Sequence, residues 1–402
     1  MSQEHHAAPR FDGVTHEEAV ARARALASRL RERAAQAESA RALPPETMRE
    51  LHASGLGRAL QPKRWGGMEL EFITYFDVTE ALAHGCASTA WNVSQIILHH
   101  WMLAMYDERA QEEVWSRDPQ AIIAAGIAFP QGEGRKTAGG YTIGGRWQFA
   151  SCVPLSDWCM LAATVRDGER VVDHRMCLLH KSQYEIVDDW QVMGMRATGS
   201  MTVTAREVFV PEHKTLSMYE TRGGDRFPGA RANPAPVFRV PVLTLGGHGI
   251  VACAVGNAQA ALDHTIASVK ERSTSYTAMK MRDFQTVQLR IGAAAARIDA
   301  ARLALRNDCL DGQEIANRNA IADTPIKLRY KRNAAFAASL CTEAVDMLHA
   351  MAGANGIYET FPLERIFRDA HSLTGHITCS YDTHLSAWGL AALGGEVTNP
   401  TL

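Results

Sequence analysis

No run of apolar residues in this 402-residue chain approaches the ~18 uninterrupted positions that a membrane-spanning helix needs. The first ten residues, Met1 to Arg10, are polar and lack the apolar centre of a secretory signal, so none is expected. Neither sign of charge is in excess: 42 Lys and Arg stand against 44 Asp and Glu, interspersed along the chain. Nucleic acids and anionic membranes call for a basic patch, so neither is an expected partner. The eight cysteines (86, 152, 159, 177, 253, 309, 341 and 379) are scattered and form no Cys-x-x-Cys pair. They are expected as buried thiols in a reducing, cytoplasmic setting.

Several chemical motifs are missing too. No Gly-x-Gly-x-x-Gly follows a strand and opens a helix, which argues against a Rossmann nicotinamide site. There is no Walker loop and no Gly-x-Ser-x-Gly elbow. His371, His376 and His384 lie five and eight residues apart, not four, so they do not form the paired ligands of a helical metal site. No metal is expected.

What is present fits a soluble globular protein of two or three compact units, 46% hydrophobic and 21% charged. Residues 1–121 read as an N-terminal α-helical domain. Thr15-His16-Glu17-Glu18 is a capping box, followed by apolar residues at helical spacing. Further helices are expected near 46–53, 70–84, 87–105 and 108–115. Residues 122–215 read as a central β domain, with alternating strands such as Thr202-Val203-Thr204 and a hairpin turn at Asp167-Gly168. Residues 216–402 read as a loop to about 235 and then a C-terminal helical bundle domain. Gly246-Gly247-His248-Gly249 opens a helix of small residues suited to close packing. Helices, then strands, then helices is an α+β order.

Specific motifs sharpen this. Arg41-Ala42-Leu43-Pro44, Leu60-Gln61-Pro62 and Trp65-Gly66-Gly67 stand in the first region. Gly144-Gly145-Arg146-Trp147-Gln148-Phe149-Ala150-Ser151 and Trp190 through Ser200 stand in the second. Pro362 through His376, containing Arg368-Asp369-Ala370, stands in the third. Together they resemble the acyl-CoA dehydrogenase family over about residues 15–394. The resemblance implies an N-terminal helical domain, a central β-barrel-like domain and a C-terminal four-helix bundle. In many dehydrogenases of that family a Tyr-Glu-Gly triplet follows the Arg-Asp-Ala run, and its Glu takes the substrate proton. Here the Tyr slot is His376 and the Glu slot is Ile377, which cannot be a base. Residues 226–262, where some members place another base, contain no Asp or Glu.

The pattern is similar to the two-component flavin-dependent monooxygenases of this fold. That resemblance implies reduced FMN or FAD from a separate flavin reductase, and dioxygen as co-substrate. It implies a flavin C4a-hydroperoxide, a small aromatic substrate, most simply a phenol, and a homotetramer. FMN and FAD both stay open. An indole- or sulfur-oxygenating relative is the second reading, and an acyl-CoA dehydrogenase with a displaced base the third.

The same resemblance assigns candidate residues. His376 takes the place of the branch's catalytic histidine; imidazole titrates near neutral pH and can deprotonate a phenol or share a proton with the peroxide. The alternative is a histidine that only packs between helices. Ser151 is placed at flavin N5, or else merely ends a strand. His99, with Trp91 on the same helix, is placed in the substrate pocket, or is a polar residue at a helix end. Trp147, Phe149, Thr198 and Ser200 are placed around the isoalloxazine, with Trp147 alternatively sheet core. Arg272 and Gln285 match positions that reach the flavin phosphates, although Ser273-Thr274-Ser275 replaces the usual following residues. Tyr381 and Asp382 follow His376; Asp382 either orients an imidazole or faces solvent.

Overall fold

The computed structural model describes residues 9–274 and 277–398; Met1 to Ala8 of the polar N-terminus, and Ser275, lie outside them. Five helices come first: α1 (His16–Ala40), α2 (Pro45–Ser54), α3 (Ile73–Ala83), α4 (Ala87–Leu103) and α5 (Glu108–Trp115). Thr15 caps α1 as its sequence dictates. Its hydroxyl accepts the Glu18 N–H at 3.2 Å, and the Glu18 carboxylate accepts the Thr15 N–H at 3.0 Å. Gly55 ends α2 at φ +73°, a conformation glycine enters without strain.

Eight strands follow: β1 (Ile123–Gly126), β2 (Gly132–Thr137), β3 (Gly140–Ala150), β4 (Trp158–Asp167), β5 (Arg170–His180), β6 (Glu185–Val187), β7 (Met201–Pro211) and β8 (Thr215–Ser217). They form one sheet in the order β6-β7-β3-β2-β4-β5-β8, with β1 paired parallel to β4. The Asp167-Gly168 turn joins β4 to β5, Asp167 standing opposite Arg170 and Gly168 at φ +59°. Strand β4 is buried on both faces, and its alternation divides two cores. Cys159, Leu161, Ala163 and Val165 join Ile143, Trp147 and Val203 in the core of the β region. Trp158, Met160 and Ala162 face the helices.

The remaining helices are α6 (Val242–Leu245), α7 (His248–Glu271), α8 (Gln285–Asn317), α9 (Thr324–Ala352), α10 (Pro362–Leu373) and α11 (Tyr381–Ala392). The small residues of α7 meet α3 within the same chain. A Cβ on Gly249 would stand 2.0 Å from the Tyr75 ring, and one on Gly256 would stand 2.2 Å from the Glu80 carbonyl oxygen. The helices before and after the strands thus share one hydrophobic core, which includes Phe72, Tyr75, Val251, Val255, Ile298 and Leu348.

Helix α10 clasps the segment that precedes β7. Asp369 accepts the Met195 N–H at 2.6 Å, and Arg368 donates to the Met193 carbonyl at 2.6 Å. Between these anchors Gly194 lies so close that a Cβ there would stand 2.3 Å from the Arg368 carbonyl oxygen. Burial pushes the Asp369 carboxyl up to about 6, against the Met195 N–H that lowers it. The Arg368-Asp369 pair, read in the sequence only as a signature, is the fastening between the β region and the final helices.

Candidate active site

Three regions of the chain converge at one place. Helix α4 brings Trp91, the ends of β3 and β7 bring Ser151 and Ser200, and the turn after α10 brings His376. The Trp91 indole N–H donates to Ser151 Oγ at 2.9 Å, and the Trp91 ring stands edge-on to the His376 ring at 5.5 Å. Ser151 Oγ lies 2.8 Å from Ser200 Oγ, which lies 2.7 Å from Thr198 Oγ1. Thr198 Oγ1 donates to the Met195 carbonyl at 2.8 Å. Ser151, Ser200, Thr198 and His376 are therefore brought together.

His376 is half-buried and caps the short turn that follows it. Its Nδ1 accepts the Thr378 backbone N–H at 3.2 Å. A nitrogen that accepts cannot carry the ring proton, so the proton of the neutral ring sits on Nε2. Loss of hydration lowers its pKa to about 4.

His99 has the opposite tautomer. Its Nδ1 lies 2.6 Å from the Ile123 carbonyl of β1, which can only accept, so Nδ1 carries the proton. Nε2 is a bare lone pair, buried without a partner among the described residues. Burial lowers the His99 pKa to about 4, the bond to Ile123 opposing it. Its neighbour His100 is differently engaged, its Nδ1 accepting the Trp115 indole N–H at 3.0 Å.

Gln95 was not foreseen. It lies between Trp91 and His99 at four-residue spacing, which places all three on one face of α4. Its Nε2 is buried and has no partner among the described residues. The spacing was visible in the sequence; the missing partner was not.

The expectation for Trp147 needs correction. Trp147 is fully buried and is sheet core, not a cofactor wall: its indole N–H donates to the Ala162 carbonyl at 2.7 Å. Gly126, Gly132 and Gly145 clear the space it fills, since a Cβ on any of them would fall within 2.9 Å of a Trp147 side-chain atom. Phe149, by contrast, is 50% exposed and packs edge-on against Trp190 at 5.1 Å. Arg272 and Gln285 stand outside the cluster. Gly247, just before α7, abuts Thr378 beside His376. Arg272 follows the other end of this 24-residue helix, about 36 Å away. There its guanidinium reaches the Met351 carbonyl, and Gln285, at the start of α8, is exposed. Asp382 is exposed, and Tyr381 packs against Phe336. His371 bonds Asp346 at 2.8 Å, and His384 donates to the Ile377 carbonyl at 2.9 Å, so neither turns to His376.

The cluster suits a flavin. A flat heterocycle with polar edges calls for an aromatic wall and short polar groups. Phe149 offers an uncovered apolar face, and Ser151, Thr198 and Ser200 supply the hydroxyls. When bound, reduced flavin supplies the electrons that activate dioxygen. Among the described residues no carboxylate bonds to a side chain of the cluster, and no helix is long and apolar enough to cross a membrane.

Similarity to known proteins agrees with this geometry. Residues 14–118 match the acyl-CoA dehydrogenase N-terminal domain, and residues 248–381 match the acyl-CoA dehydrogenase C-terminal domain. The chain is 32% identical over 376 residues to the flavin-dependent monooxygenase oxygenase subunit HsaA of Rhodococcus jostii, covering 93% of this chain and 98% of that protein. It is 31% identical over 411 residues to the FADH(2)-dependent resorcinol hydroxylase oxygenase component of a Rhizobium species, covering 98% and 99%. The crystal structure of 3-HSA hydroxylase from Rhodococcus sp. RHA1 superposes with a TM-score of 0.91, at 32% identity, over 96% of this chain and 100% of that one. With the dehydrogenase base replaced by Ile377 beside His376, and with relatives of this kind along its whole length, the chain belongs to the flavin-dependent monooxygenases built on the acyl-CoA dehydrogenase fold.

Proposed function

We propose that this protein is the oxygenase component of a two-component system that hydroxylates a small phenol with reduced flavin and dioxygen. The observation that carries the reading is a pair of neutral imidazoles of opposite tautomer: His376 against Trp91, and His99 eight residues further along the helix that carries Trp91. His99 Nε2 accepts, and so suits the hydroxyl of a phenol. The Gln95 amide is a donor for the same oxygen. His376 Nε2–H donates, and so suits the delivery of a proton toward oxygen rather than its removal from substrate. Burial holds both rings near pKa 4, so the division rests on their tautomers rather than on basicity. Ser151 would meet flavin N5, and the exposed Phe149 ring would cover the flavin. The dehydrogenase alternative lacks a base, because the buried Asp369 is turned to the Met195 N–H.

Relatives named as oxygenase subunits and components support a separate flavin reductase as partner. Assembly of copies is part of the same reading. Leu289, Ala296, Leu303 and Leu310 recur every seven residues along α8 and are all exposed, which is the pattern of a helix packed on another. A neighbouring copy would also give Arg272 and Gln285 a flavin phosphate to meet, and arginine's fork suits one. Sedimentation should give a species four times the 44.0 kDa chain; a monomer would contradict the assembly.

The reading is tested with photoreduced FMN or FAD, dioxygen and matched pairs of phenols and their methyl ethers. Phenols should be hydroxylated and the ethers not, since a methyl ether has no hydrogen to give His99. Equal turnover of both would contradict the role of His99.

A further inference from the structure

The hydroxyls beside Ser151 form a chain whose direction is fixed at both ends. The Met195 carbonyl can only accept, so Thr198 donates to it. Thr198 has then spent its one hydrogen and must accept from Ser200 across 2.7 Å. Ser200 in turn must accept from Ser151 across 2.8 Å. At the far end the Trp91 indole can only donate, and it gives its hydrogen to Ser151 at 2.9 Å. Ser151 therefore has no hydrogen left to offer. What remains on its oxygen is one lone pair. Thr198 and Ser200 are both buried, so water does not compete for the links.

We propose that this one-way chain makes the flavin seat select reduced over oxidised flavin, with Ser200 and Thr198 as positioning residues acting through Ser151. The inference rests on the reading that Ser151 faces N5. Oxidised flavin presents a bare nitrogen at N5, which accepts; against an accept-only oxygen it makes no bond and meets a second lone pair. Reduced flavin carries a hydrogen at N5 and donates it to Ser151. Buried polar atoms left without a partner are disfavoured more strongly than made bonds are favoured, so the contrast between the two redox states is set by direction rather than by contact. Removing the hydroxyl of Ser200, or that of Thr198 whose acceptance holds Ser200 in line, frees a hydrogen to turn back. Ser151 can then donate to N5, and the discrimination collapses.

The test is the ratio of dissociation constants for oxidised and photoreduced FMN and FAD, titrated anaerobically against the full-length protein without substrate. The wild type should bind reduced flavin at least about tenfold more tightly, the scale of one buried hydrogen bond. Ser200→Ala and Thr198→Val should each cut that ratio about tenfold, mainly by tighter binding of the oxidised form. Ser200→Thr keeps a hydroxyl and should keep the wild-type ratio, which separates lost direction from a disturbed fold. A wild-type ratio in both Ser200→Ala and Thr198→Val, with a reduced ratio in Ser151→Ala, would overturn the chain while leaving Ser151 at N5. A wild-type ratio in Ser151→Ala as well would overturn the placement of Ser151 and the chain with it.

Discussion

At the scale of single residues, the proposed site divides acceptor from donor. His99 Nε2 and Ser151 Oγ accept, while His376 Nε2 and the Gln95 amide donate. His376→Ala removes the Nε2–H donor on the turn after α10. Hydroxylation should fall by about 100-fold or more, the usual worth of a positioned acid or base, while reduced flavin is still bound and oxidised. Product yield equal to wild type would remove His376 from the chemistry. His376, Ser151, Thr198 and Ser200 were singled out by the motifs that resemble the family, because a lone histidine, serine or threonine carries no such signal by itself. Trp147 misled for a local reason. Strand alternation would put Trp147 and Phe149 on one face, but the pairing of β3 with β7 shifts register between Trp147 and Ala150. One aromatic is thereby buried in the β core and the other is turned outward. Gln95 was missed because an unpartnered amide is a property of its surroundings, not of its letter in the chain.

At the scale of elements, the site is held by close backbone approaches. Helix α7 lies against Tyr75 because Gly249 has no side chain, and the start of the same helix abuts the turn of His376 at Thr378. Gly249→Ala forces a Cβ into the Tyr75 ring and should destabilise the fold by about 1–3 kcal/mol, seen as a lower denaturant midpoint. An unchanged midpoint would mean that α7 and α3 can separate at little cost. The small-residue run made close packing legible, but not its partner. The sequence left open a neighbour of any kind, and the partner turned out to be α3. Element types and approximate bounds followed from capping and periodicity, as at Thr15 and Gly55. The clasp of α10 on Gly194 could not follow from either, since it joins residues some 175 positions apart.

At the scale of the whole molecule, the buried imidazoles predict sensitivity to acid. Burial lowers His99 and His376 to about 4 and His100 to about 3, from an ordinary value near 6.5. Below 6.5 the unfolded chain takes up protons that the folded chain refuses. Their contribution is thus fully present above 6.5 and is lost as pH falls toward 4 and 3. Asp369 acts in the opposite sense, because its raised pKa lets the folded state bind a proton first, between 3.8 and about 6. Burial also lowers His174, His264 and His384 and raises Glu220, so the imidazoles outnumber the carboxyls and the urea midpoint should fall between pH 7 and pH 5. A midpoint that rises over that interval would show that these rings are not held neutral.

Isotope labelling joins all three scales in one experiment. The protein is mixed with photoreduced flavin, a phenol that it turns over and ¹⁸O₂, and the product is weighed by mass spectrometry. A monooxygenase of this design should place one ¹⁸O atom in the new hydroxyl group. Hydroxylated product whose new oxygen comes from water, or no hydroxylated product from any phenol with either flavin, would contradict it.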